Sequence, residues 1–216
     1  MNNKRSEVSG AVIRRLPRYY RCLLRLEEQG TVKISSRELA RIVDLTASQI
    51  RQDLNCFGGF GQQGYGYSVS ALKEEIARIL GLDGRKKMIL LGAGNLGKAI
   101  VGSLDFEGSG FDLMAIFDTN EWVVGSEIRE YPVISTDKLE DFCHEHHPEA
   151  AILCIPQEGA ELLVPQLVEL GVRSFLNFSH YDIDIEFSNV AVENVYIADS
   201  LMTLSYRAAA LEEEQE

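Results

Sequence analysis

The sequence predicts an α/β chain in two domains, a small helical one carrying a β-hairpin and a larger one built on a parallel sheet, with a helix at the C-terminal end. Three observations carry that reading. The first is Met88-Ile89-Leu90-Leu91-Gly92-Ala93-Gly94-Asn95-Leu96-Gly97, an apolar strand running into G-x-G-x-x-G and then an amphipathic segment. The second is a pair of short capped helices between residues 36 and 56, followed by a glycine-rich hairpin. The third is the alternation of apolar strands with helical segments after residue 88.

Each glycine of the first stretch has its own requirement. Gly92 permits the tight turn out of the strand, Gly94 lets backbone approach a pyrophosphate, and Gly97 lets the helix pack close to the sheet. The helix N-terminus offers unpaired N–H groups and a positive dipole end to phosphate. A second apolar run, Leu113-Met114-Ala115-Ile116-Phe117, ends in Asp118, 21 residues beyond Gly97. An acid there accepts from a ribose 2′-hydroxyl and repels a 2′-phosphate, which favours NAD(H) over NADP(H). The same turn would serve an α/β domain that binds nothing; strand, helix and acid in register argue for the cofactor.

Composition sets the frame. The chain has 216 residues and a net charge of −12, with four scattered cysteines and no C-x-x-C. That pattern fits reduced thiols in a cytoplasm, and no apolar run approaches membrane-spanning length. The charge is split. Residues 1–87 hold 16 Lys and Arg against 9 Asp and Glu, a balance of +7, and residues 88–216 hold 5 against 24, a balance of −19. Only the first part is suited to face a polyanion.

Along the chain, 11–15 reads as a short helix and 17–29 as a longer one, with Pro17 in its first turn and Gly30 as its stop. Residues 32–34 are a brief extended piece. Ser35-Ser36-Arg37-Glu38 is a capping box opening a helix to 42 or 43, and Thr46-Ala47-Ser48-Gln49 is a second, opening a helix to about 56. Two such helices form a helix-turn-helix whose second member enters the major groove of DNA. Its forward residues are Ala47, Ser48, Gln49, Arg51 and Gln52, and Gln and Arg can make bidentate contacts to base edges. Residues 57–69 alternate apolar residues and glycine around a tip at Gln62-Gln63-Gly64, the wing of a winged helix, with Tyr65 beside the tip as a further DNA contact. A helix over 71–80 closes this domain.

Domains are therefore expected at 1–81 (winged helix), 82–87 (linker), 88–197 (Rossmann) and 198–216 (C-terminal helix and acidic tail). Within the third, 120–132 reads as a loop, 137–145 as a helix, 150–155 as a buried strand and 159–170 as a helix that Pro165 should kink. Further strands are expected at 173–178 and 191–195, and a helix at 198–211. Ligands in such a sheet lie beyond the carboxyl ends of the strands. That adds Cys154, Ile155, Pro156, Asn177 and Phe178 to the cofactor site. Cys143-His144-Glu145-His146-His147 has the residue types of a metal site but no spaced second pair of ligands. No catalytic arrangement stands out.

With these stretches in hand, the chain resembles the Rex family of redox-sensing transcriptional repressors over nearly its whole length. The matching residues are Arg15-Leu16-Pro17-Arg18-Tyr19-Tyr20-Arg21, Ser48-Gln49-Ile50-Arg51-Gln52-Asp53-Leu54, Phe57-Gly58-Gly59-Phe60-Gly61, Gly64-Tyr65-Gly66-Tyr67, Ile79-Leu80-Gly81-Leu82, the Gly92 to Gly97 turn, Leu176-Asn177-Phe178 and Val192-Glu193-Asn194-Val195. The resemblance implies a homodimer whose C-terminal helix is exchanged between subunits. It also implies an inverted-repeat operator with TTGTGA-like half-sites, and release of DNA when NADH replaces NAD+. It implies a regulator rather than an enzyme; an NAD-dependent oxidoreductase would need a substrate domain and a proton relay, and neither is visible. A third possibility is a winged-helix regulator whose Rossmann domain is only a dimerisation scaffold. The chain departs from the family pattern at four places. Gln62-Gln63 stand where a basic pair is usual, and Gln52 where Lys is frequent. Ser103 stands where an aromatic faces the nicotinamide, and Tyr196 where an acid pairs with an N-terminal Arg, here Arg15. Weaker DNA binding and a blunted NADH response are the expected consequences.

Overall fold

The structure is a computed structural model that describes residues 8–58 and 66–213. The chain separates into two compact units, Met1–Gly84 and Arg85–Glu216.

The first unit contains α1 (Gly10–Glu28), β1 (Lys33–Ile34), α2 (Ser36–Ile42), α3 (Ala47–Asn55), β2 (Tyr67–Ser68) and α4 (Val69–Leu80). Its core joins Leu16, Tyr19 and Leu23 of α1 to Leu39 of α2, Ile50 and Leu54 of α3, and Leu72 and Ile76 of α4. The expected break before Pro17 is absent, and α1 runs through it. Proline costs a helix interior about 3 kcal/mol. Here Val12, Leu16, Tyr19 and Leu23 are buried along one stripe that spans the proline. Burying one such side chain is worth about 1.5–3 kcal/mol, so the stripe outweighs the break. The wing is described only at its returning strand, where β2 pairs antiparallel with β1. Gln62, Gln63 and Tyr65 lie outside the described residues.

The second unit is a seven-stranded sheet ordered β5-β6-β4-β3-β7-β8-β9. Its strands are β3 (Lys86–Leu91), β4 (Phe111–Asp118), β5 (Glu127–Ile128), β6 (Tyr131–Ser135), β7 (Ala150–Leu153), β8 (Ser174–Asn177) and β9 (Ala191–Asn194). All neighbours are parallel except β5 and β6. The helices are α5 (Asn95–Ser103), α6 (Leu139–His146), α7 (Gln157–Glu169), α8 (Ile183–Glu186) and α9 (Ile197–Glu213). Side chains of α6, α7 and α8 pack on one face of the sheet. Those of α5 and Phe106 pack on the other.

Residues 120–132, expected as a loop, include β5 and lead into β6. Pro132 hid these strands, but it sits opposite Glu127 while the parallel ladder to β4 begins at Val133. Its missing N–H is therefore not needed on that side. Pro165 lies inside α7, where buried Val164, Leu167 and Val168 hold the helix on the sheet.

The chain runs from β3 outward to β4 and β6, then returns to β7 on the other side of β3. That reversal makes the β3/β7 boundary the switch point of the sheet.

Candidate nucleotide cleft and DNA-reading helix

The glycine turn leaves β3 at the switch point. Gly92 N–H donates to Phe117 O at 2.7 Å and Cys154 N–H to Leu91 O at 2.8 Å, which ties the ends of β4, β3 and β7 together. Gly92 has φ +102°, and a Cβ there would lie 2.4 Å from Cys154 O. A Cβ on Gly97 would lie 2.0 Å from Gly92 O. Both glycines are thus required by the protein's own packing. Gly94 differs: a Cβ there would meet nothing within 4 Å. Gly94, Asn95 and Leu96 form an exposed tip, whereas Gly92, Ala93 and Gly97 are buried. The first turn of α5 leaves N–H groups without helical partners at that opening. Space, dipole and donors all suit a pyrophosphate.

Asp118 ends β4 beside the turn. Its Oδ2 accepts from Ala93 N–H at 2.6 Å and its Oδ1 from Asn120 N–H at 2.8 Å. The carboxylate braces the glycine turn and keeps further lone pairs for ribose hydroxyls. Cys154 and Ile155 are half-buried and Pro156 exposed, where β7 ends and α7 begins. Burial pushes the Cys154 thiol up to about 12, so it is a neutral wall of the cleft and not a thiolate nucleophile. Phe178 is anchored to the same strand end, its N–H donating to Leu153 O at 3.1 Å.

Asn177 is fully buried and its side chain is used internally. Nδ2 donates to Tyr181 O and Asn194 Oδ1, both at 2.8 Å, and Oδ1 accepts from Ser179 N–H at 2.9 Å. That side chain holds the β8–β9 corner and leaves nothing to offer a cofactor. Ser103 Oγ donates back to Ala99 O at 2.6 Å at the exposed end of α5. Cys143 is buried, with its thiol pushed up to about 11 by burial, while His144 is exposed. Among the described residues no three His, Cys, Asp or Glu side chains are grouped to hold a metal ion.

In the first unit, Ser35 and Glu38 form the full capping box of α2. The box expected at α3 is only half made. Thr46 Oγ1 accepts from Gln49 N–H at 3.1 Å, but the Gln49 side chain does not return to Thr46. It turns inward instead, and Nε2 donates to Asp53 Oδ1 at 3.1 Å. Asp53 is almost fully buried. It also receives Arg15 Nε at 2.6 Å, Arg15 Nη2 at 2.8 Å and the Tyr19 hydroxyl at 2.5 Å. Burial alone would raise this carboxyl, but the hydrogen bonds from Arg15, Tyr19 and Gln49 outweigh it and hold Asp53 below its ordinary range. The Tyr19 hydroxyl is pushed up, by burial first and then by Asp53. Arg15 is therefore engaged with Asp53 within the first unit. Tyr196 stacks on His180 with ring centroids 5.2 Å apart.

Ser48, Arg51, Gln52 and Asn55 form the exposed stripe of α3 at i, i+3, i+4 and i+7. Arg51 Nη1 donates to Ser36 Oγ at 3.2 Å, which links this stripe to the start of α2. Asn55 was not among the expected readers, although its spacing from Ser48 and Arg51 marks it. Asp53 was also missed; an acid three residues after apolar Ile50 and next to Leu54, hence on the buried face of the helix, is the signal that could have found it.

A capped helix-turn-helix in a basic segment, on one chain with an open glycine turn at a sheet's switch point, defines the class of nucleotide-responsive DNA-binding regulators. The comparisons agree on which one. The family model "Putative DNA-binding protein N-terminus" matches residues 7–55, and the CoA binding domain model matches residues 83–181. The redox-sensing transcriptional repressor Rex of Caldanaerobacter subterraneus subsp. tengcongensis is 49% identical over 95% of this chain and 91% of its own length. That of Clostridioides difficile is 49% identical over 92% of this chain and 94% of its own. The chain belongs to the Rex family of redox-sensing transcriptional repressors. The solved repressor RSP, in complex with NAD+ and operator DNA, superposes with a TM-score of 0.87 at 47% identity over 96% of this chain and 95% of its own. RSP in complex with NADH superposes equally well, with 44% identity over 96% and 97% of the two chains. Relatives of this chain are thus named as repressors, not as enzymes.

Proposed function

We propose that this chain is a dimeric repressor that binds operator DNA and releases it when NADH replaces NAD+. The single observation that carries the reading is the opening at Gly94: the turn requires glycine at 92 and 97 for its own packing, yet leaves position 94 free for a ligand. Gly92, Ala93, Gly94, Asn95, Leu96 and Gly97 cradle the pyrophosphate, Asp118 holds the ribose, and Cys154, Ile155, Pro156 and the Phe178 backbone line the remainder. Ser48, Gln49, Arg51 and Gln52 of α3 read the major groove, with Asn55 added, while Gln62, Gln63 and Tyr65 reach from the wing. The DNA-reading segment is 1–81, the nucleotide segment 88–197 and the dimer segment 198–216. RSP, found with NAD+ on operator DNA and separately with NADH, supports this order of events.

Homodimerisation through α9 is supported by its surface. Ile197, Leu201, Met202, Leu204, Tyr206 and Leu211 are all exposed. A lone helix with exposed apolar residues is marginal in water and gains its stability by packing. A cleft of about 460 Å³ on the sheet face of β3, β7, β8 and β9, lined by Met88, Phe106, Ile152, Leu176 and Val192, also lacks a cover among the described residues. A second copy supplies the missing surface. The four cysteines are all free thiols, which suits the cytoplasm, where the DNA is; no helix among the described residues is long and apolar enough to cross a membrane.

The switch is weaker than in members with an aromatic at 103 and an acid at 196, because the Ser103 hydroxyl is turned onto its own helix. The test is operator affinity with NAD+, with NADH and without nucleotide. We expect NADH to lower operator affinity and, by linkage, operator to lower NADH affinity by the same factor. Equal operator affinity in all three conditions would reduce the second unit to a scaffold.

A further inference from the structure

We infer that Asp53 is a positioning residue for DNA reading: it holds the Gln49 amide with nitrogen inward and oxygen outward, so that Gln49 selects a base that presents an amino group in the major groove, adenine or cytosine. The inference rests on α3 being the DNA-reading helix.

A glutamine in solvent turns about its last bond and presents either a donor or an acceptor. Gln49 sits at the edge of the exposed stripe of α3, half-buried, one turn before Asp53 on the same helix. An ionised carboxylate only accepts hydrogen bonds, so the group facing it must be the amide nitrogen. Asp53 is itself immobile, being nearly fully buried and gripped by both nitrogens of the Arg15 fork and by Tyr19. Turning the Gln49 amide over would set two acceptors against each other beside a buried charge. Gln49 Oε1 has no hydrogen-bond partner among the described residues, and it is the atom left for a ligand. In the major groove the amino groups of adenine and cytosine donate, whereas guanine O6 and thymine O4 accept. An outward acceptor therefore discriminates amino from carbonyl bases. The ordering is made before DNA arrives, so less conformational freedom is lost on binding.

The experiment starts from the sites that the full-length protein selects out of a randomised duplex library. One base pair per half-site should require adenine or cytosine and lose that requirement in Gln49→Ala, with affinity for the selected site falling about ten-fold. Duplexes in which that base is replaced by purine or 2-pyrimidinone, which lack the amino group, should bind the parent about ten-fold more weakly and Gln49→Ala no more weakly than the natural base. Asp53→Asn, checked for folding by circular dichroism, should relax the preference at that one pair and leave the preferences at other pairs in place. A uniform loss of affinity with every preference intact would reduce Asp53 to a structural role and overturn the inference. If Asp53→Asn does not fold, the parent and Gln49→Ala on amino-free bases decide the matter alone. Sequence-selective binding indifferent to Gln49, or selection of guanine or thymine at the affected pair, overturns this inference only. Absence of any selective DNA binding by the parent removes the DNA-reading assignment itself and the inference with it.

Discussion

The two units assemble their sites from opposite materials. The nucleotide cleft is mostly backbone: a glycine turn, the first turn of α5 and strand ends tied by main-chain hydrogen bonds, with Asp118 as the one charged brace. The α3 face is a display of side chains, one of which, Gln49, is ordered by a buried carboxylate between α1 and α3. The backbone site tolerates no added volume at Gly92 or Gly97 but contains little buried charge. The side-chain site tolerates surface changes but depends on charge balance beneath them. Damage should accordingly take a different form in each unit.

The largest expected effect is steric. Gly97→Ala places a Cβ 2.0 Å from Gly92 O, a backbone atom that cannot turn aside. Overpacking typically costs about 1–3 kcal/mol and more where the clash is with backbone, and NADH binding should vanish with the turn. Gly94→Ala meets nothing within 4 Å. It should keep thermal stability to within about 1 kcal/mol and yet weaken NADH, because the methyl group occupies the ligand's space. Equal stability losses in the two variants, read by thermal unfolding, would erase the distinction between packing glycine and ligand glycine.

The next effect is electrostatic. Arg15→Ala leaves Asp53 buried with Tyr19 and Gln49 as its remaining donors among the described residues. Breaking a fully buried pair costs about 3–5 kcal/mol; since the Arg15 side chain is 26% exposed, water can reach the gap, and we expect about 2–3 kcal/mol. The pH dependence follows from the direction of the shift. Asp53 titrates below its unfolded value. Its stabilisation is therefore complete above the unfolded carboxyl value of about 4 and is lost as pH falls through the lower folded value. The parent should lose stability across that acid range more steeply than Arg15→Ala, as urea unfolding at stepped pH would reveal. Parallel curves would mean that the pair contributes nothing to acid sensitivity.

The smallest effect belongs to the cleft's one charged brace. Asp118→Ala removes the acceptor for Ala93 N–H and, on the proposed function, that for a ribose hydroxyl. Hydrogen bonds to a charged group are worth about 1.5–3 kcal/mol, so NADH affinity should fall roughly ten-fold or more while the preference over NADPH narrows. Unchanged NADH affinity in a fluorescence titration would assign the ribose to another residue.

Sequence by itself determined what depends on neighbours in the chain. The caps at Ser35 and Thr46, the period of the helices and the spacing of Gly92, Gly94 and Gly97 are local patterns, and each formed where local chemistry requires it. Asp118 and the end of β7 followed because parallel strands bring their carboxyl ends to one edge. Only the tertiary structure decided which distant residues meet. Arg15 lies 38 positions and Tyr19 34 positions before Asp53, and no local rule names them as its partners. Burial does: a carboxylate removed from water must find donors, and once it recruited Gln49 the second capping box could not close. The same competition carried α1 through Pro17 and consumed the side chain of Asn177. At Asp53 and Pro17 burial against residues far along the chain outweighed a preference written in a few adjacent ones, whereas Asn177 is held largely by near neighbours, Ser179 and Tyr181, with Asn194 added across the corner.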